Sequence, residues 1–166
     1  MKTPLPALLL LPLLLTACAG PRLSPAERTT LLAVKDTVIV PGQRIGPVFV
    51  GMTEAELYDH LGNPAQTVHG DDSSRVDYDW SDIGVGVNTR KHVVVSVYAT
   101  GTHYATAGGV TVGTPELELM AKLGAPSSTT QADFGVTHYC FGKGLQVWTR
   151  LGKVTRLTVA RKACAE

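Results

Sequence analysis

The chain repeats itself, and that constrains its fold more than any other feature. Gly46-Pro-Val-Phe-Val-Gly-Met-Thr-Glu-Ala-Glu-Leu-Tyr-Asp-His-Leu-Gly-Asn-Pro64 aligns, at a shift of 62, with the segment from Gly108 to Pro126. Ten of the nineteen positions are identical, against roughly one or two for unrelated segments of ordinary composition. Gly84, Val87, Thr89 and Arg90 recur as Gly144, Val147, Thr149 and Arg150. A duplicated unit must bury one apolar face twice.

Each copy predicts the same layout. In the first, Thr53 followed by Glu56 is a capping box, and Glu54 adds negative charge to the first helical turn. Leu57 and Leu61 stand four apart as the buried stripe of a short helix, which Gly62 and Pro64 end. In the second, Thr114 is expected to cap, Pro115 to occupy the first helical position, and Leu119 and Leu123 to form the stripe before Gly124 and Pro126. Strands are predicted afterwards. Val76, Tyr78 and Trp80 alternate with Asp77 and Asp79, followed by Ile83–Val87 and Val93–Tyr98. The second copy offers Val136–Phe141, a Gly-Lys-Gly turn, Leu145–Thr149, a Leu-Gly-Lys turn and Val154–Ala160. Helices so short need a sheet to lie on. The expected fold class is therefore α+β, a tandem repeat of a short helix packed on an antiparallel meander, with both helices on one side of a continuous or tightly apposed sheet.

The organisation read from the chain is a signal segment at 1–17, a tether and first strand region at 18–44, and a first α+β repeat at 45–99. A connection at 100–107 and a second repeat with the C-terminal tail at 108–166 complete it. Arg28–Val34 suggests a short helix, Thr37–Val40 a strand, Pro41-Gly42 a turn, and the 100–107 connection an extra strand in part.

Lys2, the leucine-rich run from Leu5 to Leu15 and the small Ala17 form an export signal. Leu15-Thr-Ala-Cys18 resembles the bacterial lipobox, which implies lipidation of Cys18. It further implies a lipid-anchored protein of the cell envelope, on the outer membrane facing the periplasm; an ordinary secretory signal cleaved nearby is the alternative. Loss of Lys2 would leave 14 basic against 14 acidic residues, and no concentrated basic field of the kind nucleic acid requires. Residues 51–100 hold eight acids and three bases, and residues 101–166 hold four acids and seven bases, a polarity able to orient a partner.

Cys140 and Cys164 suggest one disulfide in an oxidising compartment, the alternative being a buried Cys140 and an exposed tail thiol. Catalytic machinery is not legible. His60, His69, His92, His103 and His138 form no close ligand pair, and no serine sits in a GxSxG elbow. Asp71, Asp72, Asp77, Asp79 and Asp82 lack the ligand order of a calcium loop and read as a solvated acidic face or a patch for a basic partner. Gly84 and Gly86 read as sheet bends or close approaches. No catalytic residue, metal or cofactor is assigned. Tyr78, Trp80 and Trp148, with the recurring Arg90 and Arg150, are the candidate protein-binding residues, because aromatics and arginines make favourable interface anchors.

Val48-Phe-Val-Gly-Met-Thr-Glu-Ala-Glu-Leu, with Leu61-Gly-Asn-Pro64 and the strands that follow, resembles the BamE/OmlA-type small outer-membrane lipoprotein domain. The tandem arrangement is similar to the beta-lactamase inhibitory protein superfamily. These resemblances imply a non-enzymatic envelope lipoprotein that binds a protein or assists assembly. The alternatives are a periplasmic inhibitor of a hydrolase, or a module for a small ligand or the cell wall.

Overall fold

Strand alternation decides the architecture. In the computed structural model, which describes residues 36–72, 74–162 and 164, a row of side chains crosses six strands: Tyr78, Val87, Val97, Val159, Leu145 and Phe141. All six are buried. Paired residues share a face, so this row marks the covered side of one sheet.

The elements run β1 (Val38–Val40), β2 (Arg44–Ile45), β3 (Val48–Phe49), α1 (Glu54–Leu61), β4 (Gln66–His69), β5 (Arg75–Trp80), β6 (Val85–Arg90) and β7 (Val93–Ala99). There follow β8 (Ala105–Thr106), α2 (Glu116–Leu123), β9 (Ser128–Ala132), β10 (Val136–Phe141), β11 (Leu145–Arg150) and β12 (Lys153–Ala160). The large sheet has eight strands in the order β4-β5-β6-β7-β12-β11-β10-β9, and a small one has the order β3-β2-β1-β8. The sheet is therefore continuous. The last strand of each half, β7 or β12, lies at the centre, and the two pair antiparallel from Leu157↔Ala99 to Ala160↔Ser96.

The helices pack on the covered face. Leu57 and Leu61 of α1 are buried, as is Leu119 of α2, while Leu123 is partly buried. Each helix start is fastened to strands beneath it. Glu54 accepts the Thr89 hydroxyl at 2.9 Å, and Glu116 accepts the hydroxyls of Tyr139 and Thr149, the latter at 3.0 Å. Both glycine stops behave as expected. Gly62 and Gly124 have positive φ and donate their N–H groups to Tyr58 and Met120.

Some expectations need correction. Thr53 and Glu56 form the capping box, but Pro115, not Thr114, stands at the cap position of α2. The Thr114 hydroxyl instead accepts the Thr111 N–H, holding the approach to the helix. Ile83 lies in the turn before β6 rather than in a strand. The edge strands β4 and β9 went unpredicted, because every residue in them is exposed and no apolar period marks them. The expected segments at 1–17 and 28–34 and the Cys18 site lie outside the described residues. Among the described residues no helix is long and apolar enough to cross a membrane.

Candidate functional site

Residues one step along each strand from the core row face the other way, and neither α1 nor α2 covers them. Across this open face run Asp79, Gly86, Tyr98, Thr158, Gln146 and Cys140, in register. A second row is built around Trp148, which pairs with Arg156 on one side and His138 on the other.

These rows make a ring stack across four adjacent strands. The His138 and Trp148 rings stack with centroids 4.2 Å apart and planes 21° apart. The Arg156 guanidinium carbon lies 5.3 Å from the Trp148 ring centre and 3.8 Å from that of Tyr98. Tyr98 is held in turn by its hydroxyl, which donates to Asp79 at 3.2 Å. Gly86 makes room for this. A β-carbon there would overlap the Tyr98 ring, which accounts for the close approach expected of this glycine.

Arg156 is the unusual group. Burial pushes its pKa down, while Tyr98, Asp77 and Asp79 act in the opposite direction. Among the described residues it makes no ion pair, and its Nε is buried without a hydrogen-bond partner. The Thr158 hydroxyl two residues along is also buried and unpartnered. Both border a depression of about 560 Å³ that also exposes Trp148, Tyr98, Gln146 and Asn88. A guanidinium covered on its faces by rings still offers its edge, which suits a carboxylate or a carbonyl oxygen.

Towards β4 the face becomes a polar ladder. Asn88 donates to Asp77, Ser96 donates to Asn88 at 2.7 Å, and Arg75 stands 3.5 Å from Asp77. Burial pushes the Tyr98 hydroxyl up to about 12, with the nearby Asp79 carboxylate adding to the rise.

The residues expected to bind a partner separate sharply. Trp80 is 0 % exposed and donates its indole N–H to the Gly62 carbonyl at 3.2 Å. Tyr78 is also buried, edge-on to Tyr58. Alternation places both beneath α1, so neither is a surface handle. Trp148 is half-buried on the open face, in the stack. Arg90 and Arg150 are exposed, at opposite ends of the sheet because β7 and β12 are antiparallel; Arg90 lies 3.5 Å from Asp72.

Tyr98, His138 and Arg156 were not singled out from the sequence as partner-binding residues. The outward parity of Arg156 relative to buried Leu157 and Val159 was a faint signal, masked because Val154 has the same parity as Arg156 yet is buried, the register shift at Trp148/Thr149 having turned the strand between them. Cys140 and Cys164 are joined as a disulfide with Cα atoms 6.0 Å apart. His138 stands 3.8 Å from the Cys140 sulfur, but a disulfide offers no thiolate to a metal or a substrate.

No family model and no curated protein matches the chain. Solved structures do. A DUF4309 family protein (YjgB) from Bacillus subtilis is 15% identical, with a TM-score of 0.54 over 83% of this chain and 95% of that one. The uncharacterized protein yfeY from Escherichia coli is 13% identical, with a TM-score of 0.52 over 74% of this chain and 99% of that one. A cysteine-rich secretory protein (SAV1118) from Staphylococcus aureus is 20% identical, with a TM-score of 0.52 over 74% of this chain and 48% of that one. At these identities the likeness is one of fold: antiparallel sheet with short helices.

Proposed function

We propose that the chain is a non-enzymatic, lipid-anchored envelope protein whose open sheet face binds another protein, as an accessory of an envelope assembly. The observation that carries this reading is the half-buried Arg156, flanked by Tyr98 and Trp148 and left with an unpartnered Nε. Aromatic and arginine side chains held rigid on a sheet are favourable interface anchors, since little entropy is lost when a partner covers them. The address comes from the Cys18 lipobox, which in this reading ties the domain to the outer membrane facing the periplasm.

The same reading treats the two halves as copies of one unit. Its support is correspondence in detail: Glu54–Thr89 answers Glu116–Thr149, and the Asn88/Thr89 register shift answers that at Trp148/Thr149. The lone bridge Thr53↔Val93 answers Pro115↔Lys153. A duplicated helix-and-meander unit of this kind is the arrangement expected of the beta-lactamase inhibitory protein type.

The test is crosslinking and mass spectrometry of the full-length chain in its own envelope, beside Arg156→Ala and Cys18→Ser forms. The expected result is one dominant membrane-assembly protein, lost in Arg156→Ala and weakened in Cys18→Ser. A dominant hydrolase retained without the anchor would replace this reading with inhibition. An Arg156→Ala pattern identical to wild type would remove the open face from the account.

A further inference from the structure

Three side chains are far more exposed than any other large hydrophobic residue described: Leu117 at 88%, Phe134 at 87% and Leu151 at 87%, with the next at 48%. All three lie at one end of the sheet. Val136 pairs with Arg150, so the β9–β10 turn carrying Phe134 and the β11–β12 turn carrying Leu151 leave the sheet side by side. Strand spacing puts the two hairpins about 10 Å apart. Leu117 joins them because α2 begins against the second turn, where the Glu116 N–H donates to the Gly152 carbonyl at 2.9 Å.

The backbone makes the display more unusual. Phe134 has φ 60° and Leu151 has φ 52°, the left-handed region in which glycine or asparagine is at ease and bulky residues are strained. The turn at the end of the other half is polar. Its left-handed positions are Lys91 and His92, and residues 70–72 before β5 are Gly-Asp-Asp. One end of the molecule thus accepts strain to hold apolar side chains in water, where none of the described residues buries them.

We propose that this end dips into the surface of a lipid bilayer, with Phe134, Leu151 and Leu117 entering the boundary between headgroups and acyl chains. The geometry favours lipid over a protein groove, because Phe134 and Leu151 project from separate turn tips and Leu117 from the first turn of α2, and the three do not line one shared cleft. Charge agrees with that choice. Exposed Arg150 and Lys153 flank Leu151 at headgroup depth and complement lipid phosphates; of the carboxylates nearby, Asp133 lies in the Phe134 turn, Glu118 beside Leu117 is paired with Lys122, and Glu116 is turned to the hydroxyls of Tyr139 and Thr149. Length agrees as well. Seventeen residues, 19–35, separate Cys18 from the first described residue, a tether that extends at most about 60 Å. A domain so tethered stays close to a membrane, and three inserted side chains would fix its orientation. The tether argument rests on the lipid-anchor reading above, whereas the turn geometry does not.

Among the described residues the core runs from Ile39 to Val159, so a chain begun at residue 19 keeps all of it and lacks both the signal segment and Cys18. That chain is floated with vesicles of phosphatidylethanolamine and phosphatidylglycerol, beside Phe134→Asn, Leu151→Asn, Leu117→Gln and the triple variant. Asparagine suits the left-handed turn positions, so thermal stability should hold or rise. Partitioning should fall by several-fold for each single change and by about 100-fold or more for the triple. A triple variant that floats like wild type overturns the proposal, as does a wild-type chain that stays with the unbound fraction. Loss of a crosslinked protein in the triple variant, with vesicle binding unchanged, assigns the patch to a protein instead. Because no lipid anchor is present, failure here leaves the Cys18 reading untouched.

Discussion

Arg156 lies against Tyr98, its guanidinium carbon 3.8 Å from the ring centre, and so links the last strand of one half to the last strand of the other. The contact exists only because β7 and β12 pair at the middle of the sheet. It gives the open face a fixed cation where a lone surface arginine would sample many rotamers, and side-chain entropy is what such a residue loses on binding. Fold and proposed function meet at this pair.

Gly86 is the cheapest place to break it. A methyl group at this position overlaps the Tyr98 ring, so Gly86→Ala should destabilise by about 1–3 kcal/mol and move Tyr98 off Arg156. Urea unfolding measures the loss. Gly86→Ala combined with Tyr98→Ala should cost clearly less than the sum of the single changes. Additive losses would mean that the ring does not occupy that space.

Trp80 tests the covered face. It is fully buried, and its indole N–H satisfies the carbonyl of Gly62, the residue that closes α1. Trp80→Phe removes that donor and leaves a partial cavity, for an expected loss of about 2–4 kcal/mol. Equilibrium denaturation at one pH suffices, and an effect below about 1 kcal/mol would contradict this account of the helix stop.

The parts legible in the sequence were those written twice or written in a period. The leucine pair of α1, the glycine stops, the 75–80 strand and the acidic alternation opposite it all follow from local chemistry. Edge strands β4 and β9 were not legible, since a strand exposed on both faces carries no hydrophobic signal. Trp80 and Trp148 looked equivalent as aromatic strand residues, yet one is core and the other lies on the open face. Parity separates them, and only the sheet register supplies parity. Arg156 shows the same limit more strongly, because its partners come from β7 and β11 and are brought together by the central pairing.

Acid should weaken the fold through Glu54. Burial works against its charged form, but hydrogen bonds from His92, Thr89 and Tyr78 outweigh that and hold its pKa below the ordinary carboxylate value. A group with a depressed folded pKa stabilises the fold at pH above its unfolded value, about 4.3, and that contribution is lost as pH falls through the folded value. Urea midpoints between pH 7 and pH 3 should therefore decline more steeply for wild type than for Glu54→Gln. Parallel curves would remove Glu54 from the acid response.

The Cys140–Cys164 bridge should contribute stability without shaping the core. Cys140 lies on the open face in β10, and Cys164 follows the end of β12, so the bonded tail must pass β11 to reach its partner. The cysteines are 24 residues apart, and closing a segment of that length is worth about 3 kcal/mol through the unfolded chain. Reduction should lower the thermal midpoint, and a Cys140→Ala/Cys164→Ala variant should melt with the reduced protein. The covered face does not contain the bridge, so near-ultraviolet circular dichroism from buried Trp80 should persist in the reduced native state. A collapse of that signal on reduction, well below the melting transition, would mean that the tail helps hold the sheet itself together.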